Sequence, residues 1–192
     1  MGGLDVEAMF LEDGALLEGH FVLRSGMHSS KYLQCAKVLQ HPGHAEKLAK
    51  GLAEMLGRTR VDTVVGPATG GIIVAYELAR ALGCRGIFAE RVDDVFALRR
   101  GFEVARGNAV VVAEDVITTG GAAEEVVRLV EGLGARAAAV AALVNRSGKN
   151  PFAVPFHYLF SFEAPTWNPA QCPLCRAGRP VEKPGSRQEV KR

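Results

Sequence analysis

Between Thr63 and Val144 the sequence alternates short apolar runs with amphipathic stretches, and that alternation leaves few folds open to it. Strand-like runs at Thr63 to Val65, Gly86 to Glu90, Ala109 to Ala113 and Ala137 to Val144 are interleaved with helical patterns at Gly71 to Leu82 and Ala122 to Leu133. A continuous β-branched run such as Val110-Val111-Val112 is what a strand buried on both faces requires. The repetition predicts an α/β fold, a parallel sheet flanked by helices, in which ligands gather beyond the carboxyl ends of the strands. The loops after Val65, Ala113 and Val144 are therefore the candidate functional positions.

The flanks are shorter elements. Val6, Met9, Phe10, Leu16 and Leu17 fall close to helical spacing over residues 5 to 18, with Gly19 as a stop. Phe21 to Leu23 and Lys31 to Ala36 read as two strands around the turn Ser25 to Ser30, a small N-terminal hood within residues 1–40. Pro42 opens a helix whose stripe of Ala45, Leu48, Leu52, Met55 and Leu56 ends at Gly57. The core spans residues 60–148, and residues 165–192, with several prolines and no period, read as an irregular C-terminal appendage. At 192 residues, one domain is expected.

Composition narrows the function classes. The longest apolar run, Ala137 to Val144, is too short to span a bilayer, and the N-terminus shows no signal-peptide pattern, so a cytoplasmic protein without a membrane partner is expected. Of the net charge of +2, residues 176–192 carry six Lys/Arg against two Glu, which leaves the remainder at −2. That basic tail lacks interleaved aromatics and holds Pro180 and Pro184, so it reads as solvated or docked on a subunit, and no nucleic-acid partner is expected.

Residues 109–123 carry the chemistry. The apolar run ends at Glu114-Asp115 and passes through Val116 and Ile117 to Thr118, Thr119, Gly120 and Gly121 before a helix beginning at Ala122. Hydroxyl donors, glycines that admit a close ligand and a helix N-terminus together form a phosphate cradle. Two carboxylates cannot share a phosphate's position, so Glu114 and Asp115 are suited to ribose hydroxyls or a hydrated Mg²⁺. A second anion nest is expected at Gly66 to Gly71, with Ala68, Thr69 and Gly70 at its centre. No P-loop pattern occurs. Between them, Arg91 to Gly107 reads as a flexible hairpin carrying Arg99 and Arg100, either a surface feature or a lid that closes over a charged leaving group.

The 109–123 segment resembles the phosphoribosyl-pyrophosphate (PRPP) motif of type I phosphoribosyltransferases. Within that family, His20 to Tyr32 is similar to the "F-x-L-x-S-G-x-x-S-x-x-Y" opening of orotate phosphoribosyltransferases, and Asn145-Arg146 matches their "D/N-R" step. The resemblance covers about residues 10 to 165. Cys172-Pro173-Leu174-Cys175 and Lys183 to Arg187 look like the ending of one bacterial branch. It implies a type I fold with a hood and a lid, a homodimer whose lid is shared across subunits, and Mg²⁺ bound with PRPP. It further implies Glu114, Asp115, Arg99 and Arg100 as catalytic groups. PRPP would be held by residues 114–122 together with Ala68, Thr69 and Gly70, and orotate by Arg24, Thr118 and Arg146. The family's lid carries lysines and a histidine, whereas arginines stand here, and an arginine does not serve as a proton donor.

Two rival readings stand beside this one. A purine phosphoribosyltransferase would share the fold but has no use for the Arg24 and Arg146 segments, and a PRPP-sensing nucleic-acid regulator rests on the basic tail alone. The single Cys172-x-x-Cys175 pair has no second pair beside it, and His20, His28, His41, His44 and His157 show no metal-ligand spacing. A simple turn is expected there, with zinc and a redox pair as alternatives, and no metal-ligating residues are assigned. Cys35 and Cys84 are expected to pack as small apolar groups.

Overall fold

A computed structural model describes residues 4–23 and 25–184. The chain runs through α1 (Val6–Glu12), β1 (Leu16–Val22), β2 (His28–Leu33), α2 (Cys35–Leu39), α3 (Pro42–Leu56), β3 (Thr63–Pro67), α4 (Gly71–Leu82), β4 (Arg85–Val92) and β5 (Val95–Leu98). It continues with β6 (Ala109–Ile117), α5 (Gly121–Gly132), β7 (Arg136–Asn145), β8 (Phe156–Ser161), β9 (Thr166–Trp167) and α6 (Pro173–Arg176).

The main sheet has the order β5-β4-β3-β6-β7-β8, parallel throughout except for β5 at one edge. From β3 the chain crosses through α4 to β4 on one side, and from β6 it crosses through α5 to β7 on the other. The strand order therefore reverses between β3 and β6, which is where such sheets open a crevice at their carboxyl ends. Alternation along β6 builds two cores. Val111 and Ala113 pack with α3, α4 and the N-terminal helices, while Val110 and Val112 pack against Val126, Val127 and Val130 of α5. No helix among the described residues is long and apolar enough to cross a membrane.

Several boundaries differ from the sequence reading. The expected helix over 5–18 stops at Glu12: Asp5 caps its start by accepting from the Ala8 N–H, and Gly14, at φ +59°, turns the chain into β1. Gly19 lies inside β1, beside a bulge. The second hood strand begins earlier than expected, at His28, and Cys35 and Ala36 start α2 instead of ending a strand. The β6 strand runs four residues past Ala113, so Glu114 and Asp115 belong to the strand and the turn begins after Ile117. The stretch read as flexible after Glu90 is, at its base, a tight antiparallel hairpin. Asp93 and Asp94 form a two-residue turn with positive φ, Phe96 is buried, and Phe102 packs edge-on to Phe88 at 5.1 Å. The β8 strand was not anticipated, although Phe156, Tyr158 and Phe160 alternate as strand residues do. The appendage is also less irregular than read, because β9 pairs with β2 to complete a three-stranded hood sheet and Glu182 bridges to Phe21.

Candidate active site

The two glycine-containing loops converge on the crevice between β3 and β6. After Pro67 the chain passes through Ala68, Thr69 and Gly70 into the N-terminus of α4, and the Ala68 N–H donates to the Ala89 carbonyl at 2.8 Å. The Ala68–Thr69 peptide is cis. Gly70 lies directly against Asp115: a Cβ there would stand 2.7 Å from Oδ1. After Ile117 the chain turns through Thr118 and Thr119 to Gly120, which caps α5 at φ +84°, and the first-turn N–H groups of α5 have no partner within the helix. An open cleft of about 430 Å³ is lined by Glu114 and residues 116–123, with Ser25, Arg91 and Glu125 at its edge.

Glu114 and Asp115 are adjacent near the end of β6, and each carboxyl lies within the other's field. Burial, reinforced by the charge of Asp115, pushes Glu114 up to about 9. Burial also raises Asp115, while the Val116 N–H, 2.8 Å from Oδ1, favours its charged form. Both carboxyls are thus shifted toward their protonated forms by burial, an environment that an incoming cation would reverse.

Arg146 follows β7 at the same end of the sheet, placed by its own N–H donating to the Ile117 carbonyl at 2.7 Å. The preceding Asn145 shapes that turn by accepting from the Ser147 N–H and hydroxyl. The guanidinium is half-buried over the Phe162 ring at 5.7 Å, burial lowers its pKa, and it has no carboxylate partner among the described residues. Tyr32 and Cys35 lie within its field and that of Asp115. Burial raises the Tyr32 hydroxyl against the opposing pull of Arg146, and the Cys35 thiol, raised by burial, lies 3.9 Å from the Asp115 carbonyl.

Residues 35–174 match the phosphoribosyl transferase domain. An orotate phosphoribosyltransferase of Heliobacterium modesticaldum is 54% identical over 182 residues, covering 93% of this chain and 95% of that protein. That of Caldicellulosiruptor bescii is 50% identical over 94% of this chain and 96% of its own length. The chain belongs to the orotate phosphoribosyltransferase family. The crystal structure of orotate phosphoribosyltransferase from Aeropyrum pernix superposes with a TM-score of 0.68 at 26% identity, covering 81% of this chain and 93% of that one.

Seen as an orotate phosphoribosyltransferase-family cleft, most of the sequence-derived residues cluster. Glu114, Thr118, Thr119, Gly120, Gly121 and Ala122 line the opening, Asp115 lies beside it against Gly70, and Arg146 adjoins Ile117. Arg24 lies outside the described residues. The two lid arginines are not aimed into the cleft. Arg99 is exposed, and Arg100 forms a bidentate pair with Glu90 at 2.8 and 2.9 Å. Arg91 reaches the cleft edge instead, pairing with Glu125 at 3.0 Å and stacking on Phe96. The sequence reading gave no role to Arg91, which lines the cleft edge. The fold also brings His20 and His28 of the hood sheet together with Cys172 and Cys175 at the start of α6, an arrangement that their linear spacing does not show.

Proposed function

We propose that this chain transfers the 5-phosphoribosyl group of PRPP to N1 of orotate, giving orotidine 5′-phosphate and pyrophosphate in de novo pyrimidine biosynthesis. The observation that carries the choice of base is Arg146, a half-buried guanidinium without a carboxylate partner among the described residues, set beside the phosphate loop. A planar fork of this kind is suited to the carboxylate that distinguishes orotate from purines and from uracil.

In this reading residues 118–122 hold the 5′-phosphate with hydroxyls and helix N–H groups. Glu114 and Asp115 hold the ribose hydroxyls and face the positive charge that develops at C1 as the bond to pyrophosphate loosens. Thr69 and Gly70 offer backbone N–H groups to the pyrophosphate, with the Ala68 N–H committed to the Ala89 carbonyl and fixing the loop, and Arg99 and Arg100 cover it once Arg100 leaves Glu90. Arg24, Arg146 and Thr118 orient orotate, whose N1 is acidic enough to need no strong base. The carboxylate pair, raised by burial, would be suited to hold Mg²⁺, and Mg²⁺ bound with PRPP would neutralise the leaving pyrophosphate.

A homodimer with the lid reaching the partner's cleft accords with the apolar surface beside the hairpin, where Ile73 and Tyr76 are exposed next to a groove lined by Phe88 and Phe102. We place the enzyme in the cytoplasm as a single phosphoribosyltransferase unit, with small-molecule substrates and neither nucleic acid nor membrane as partners. Pyrophosphate release from PRPP and Mg²⁺ that depends on orotate, and does not occur with adenine or hypoxanthine, tests the function. Release with a purine base instead would replace it with the purine reading.

A further inference from the structure

The hood carries a cluster of donors that transfer chemistry does not use. His20 lies on β1, His28 on β2, and Cys172 and Cys175 bracket the start of α6, more than 140 residues along the chain. One donor atom from each lies within 4.8 Å of all the others. His20 Nε2 is 2.8 Å from His28 Nδ1, 3.4 Å from Cys172 Sγ and 3.7 Å from Cys175 Sγ, and Cys175 Sγ is 3.3 Å from His28 Nδ1. Zinc bonds of about 2.0–2.1 Å to nitrogen and about 2.3 Å to sulfur, at tetrahedral angles, set nitrogen pairs about 3.3 Å apart and nitrogen–sulfur pairs about 3.6 Å apart. The observed nitrogen–sulfur separations of 3.3, 3.4 and 3.7 Å bracket that value, while the two ring nitrogens, at 2.8 Å, stand at hydrogen-bond distance and would move apart by about 0.5 Å to take the ion.

The protonation of His20 points the same way. Its Nδ1 lies 2.9 Å from the Arg179 carbonyl oxygen, which only accepts, so in the neutral ring the proton belongs on Nδ1 and Nε2 is the nitrogen turned toward the other three donors. A backbone carbonyl that fixes the tautomer and aims the free nitrogen is the usual support of a metal-bound histidine. His20, His28 and Cys172 are buried, and a turn or a dithiol redox pair needs neither imidazole in this place.

We propose that His20, His28, Cys172 and Cys175 form a tetrahedral Cys₂His₂ zinc site. Binding releases the two thiol protons and fills all four positions with protein donors, so the site is structural and leaves no place for a substrate. It ties the C-terminal segment to the hood, alongside the His28–Trp167 strand pairing and the Phe21–Glu182 bridge. It also clamps both ends of the turn that carries Ser25 to the cleft edge.

Metal analysis of the full chain, purified under reducing conditions without chelator, should find one zinc per chain. After zinc removal, Co²⁺ should restore the intense visible spectrum of a tetrahedral thiolate site, a readout that needs no variant. Cys175→Ser, at the exposed position, should lose stoichiometric zinc and that spectrum while keeping its circular dichroism. A strong chelator should lower the melting temperature of the parent chain and leave that of the variant unchanged. A reduced, folded parent chain that takes up neither zinc nor Co²⁺ would overturn the site, as would undiminished zinc binding in Cys175→Ser and His28→Gln.

Discussion

Gly70 and Asp115 touch across the β3–β6 crevice so closely that a methyl group on Gly70 would stand 2.7 Å from Oδ1 and 2.9 Å from Cγ of the carboxyl. Loop and carboxylate therefore set each other's position. Gly70→Ala should fold normally, because the loop lies at the end of the sheet, yet push the β3 loop and Asp115 apart. Misplacement of this kind near a reacting centre costs up to roughly 10²-fold. Steady-state kinetics should show that loss in kcat/KM for PRPP, and unchanged kinetics would mean that the two loops do not share a ligand.

Asp115→Asn preserves the shape of the crevice and removes one negative charge facing the ribose. Turnover is expected to fall on the order of 10²-fold or more, as for other preorganised electrostatic groups. Near-normal turnover of the folded variant would take Asp115 out of the chemistry.

Glu114 makes stability depend on pH in the sense opposite to a salt-bridged carboxylate. Its folded-state pKa is raised to about 9, whereas an unfolded glutamate titrates near 4.3. Below about pH 4.3 both states hold the proton; between there and about 9 only the folded state does, so its contribution to stability falls as pH rises through that window. Glu114→Gln has no such proton. Relative to the parent, its melting temperature should be similar at about pH 4 and higher at about pH 8, by about 2–4 °C per kcal/mol gained. Parallel melting curves across that range would show that Glu114 titrates as an ordinary carboxylate.

What could be read from the chain was what lies close together along it. Residues 114–122 and 68–70 are contiguous, and their hydroxyls, glycines and carboxylates speak for a sugar phosphate before any coordinate is known. Charged residues conceal strand ends, which is why β6 outlasted its apolar pattern and Glu114 and Asp115 belong to a strand. That Tyr32 of the hood falls within the field of Arg146 depends on long-range folding, and no local pattern encodes it. The His20–Cys172 contact spans 152 positions, so ligand spacing, a local rule, passed over it.

The lid prediction concerns two chains. Arg100 pairs with Glu90 of its own hairpin, so any catalytic use requires that exposed, solvent-screened pair to open, at little cost. Mixing Arg100→Ala with Asp115→Asn chains should recover activity in hybrid dimers, because one of the two clefts then receives an intact lid and an intact ribose site. Proven hybrids without recovery would assign the lid to its own subunit.

Arg146 tests most directly whether the crevice takes PRPP on one side and orotate on the other. Arg146→Ala leaves both glycine loops in place and removes the guanidinium beside Ile117, so the KM for orotate should rise about ten- to two-hundred-fold, as for loss of a charge-assisted pair worth roughly 1.5–3 kcal/mol. The KM for PRPP should stay within about twofold of the parent value, and discrimination between orotate and uracil should shrink. The decisive measurement is the steady-state kinetics of the purified variant with each substrate varied in turn. A rise confined to orotate is the predicted result; an equal rise for both substrates, or none for orotate, would contradict it.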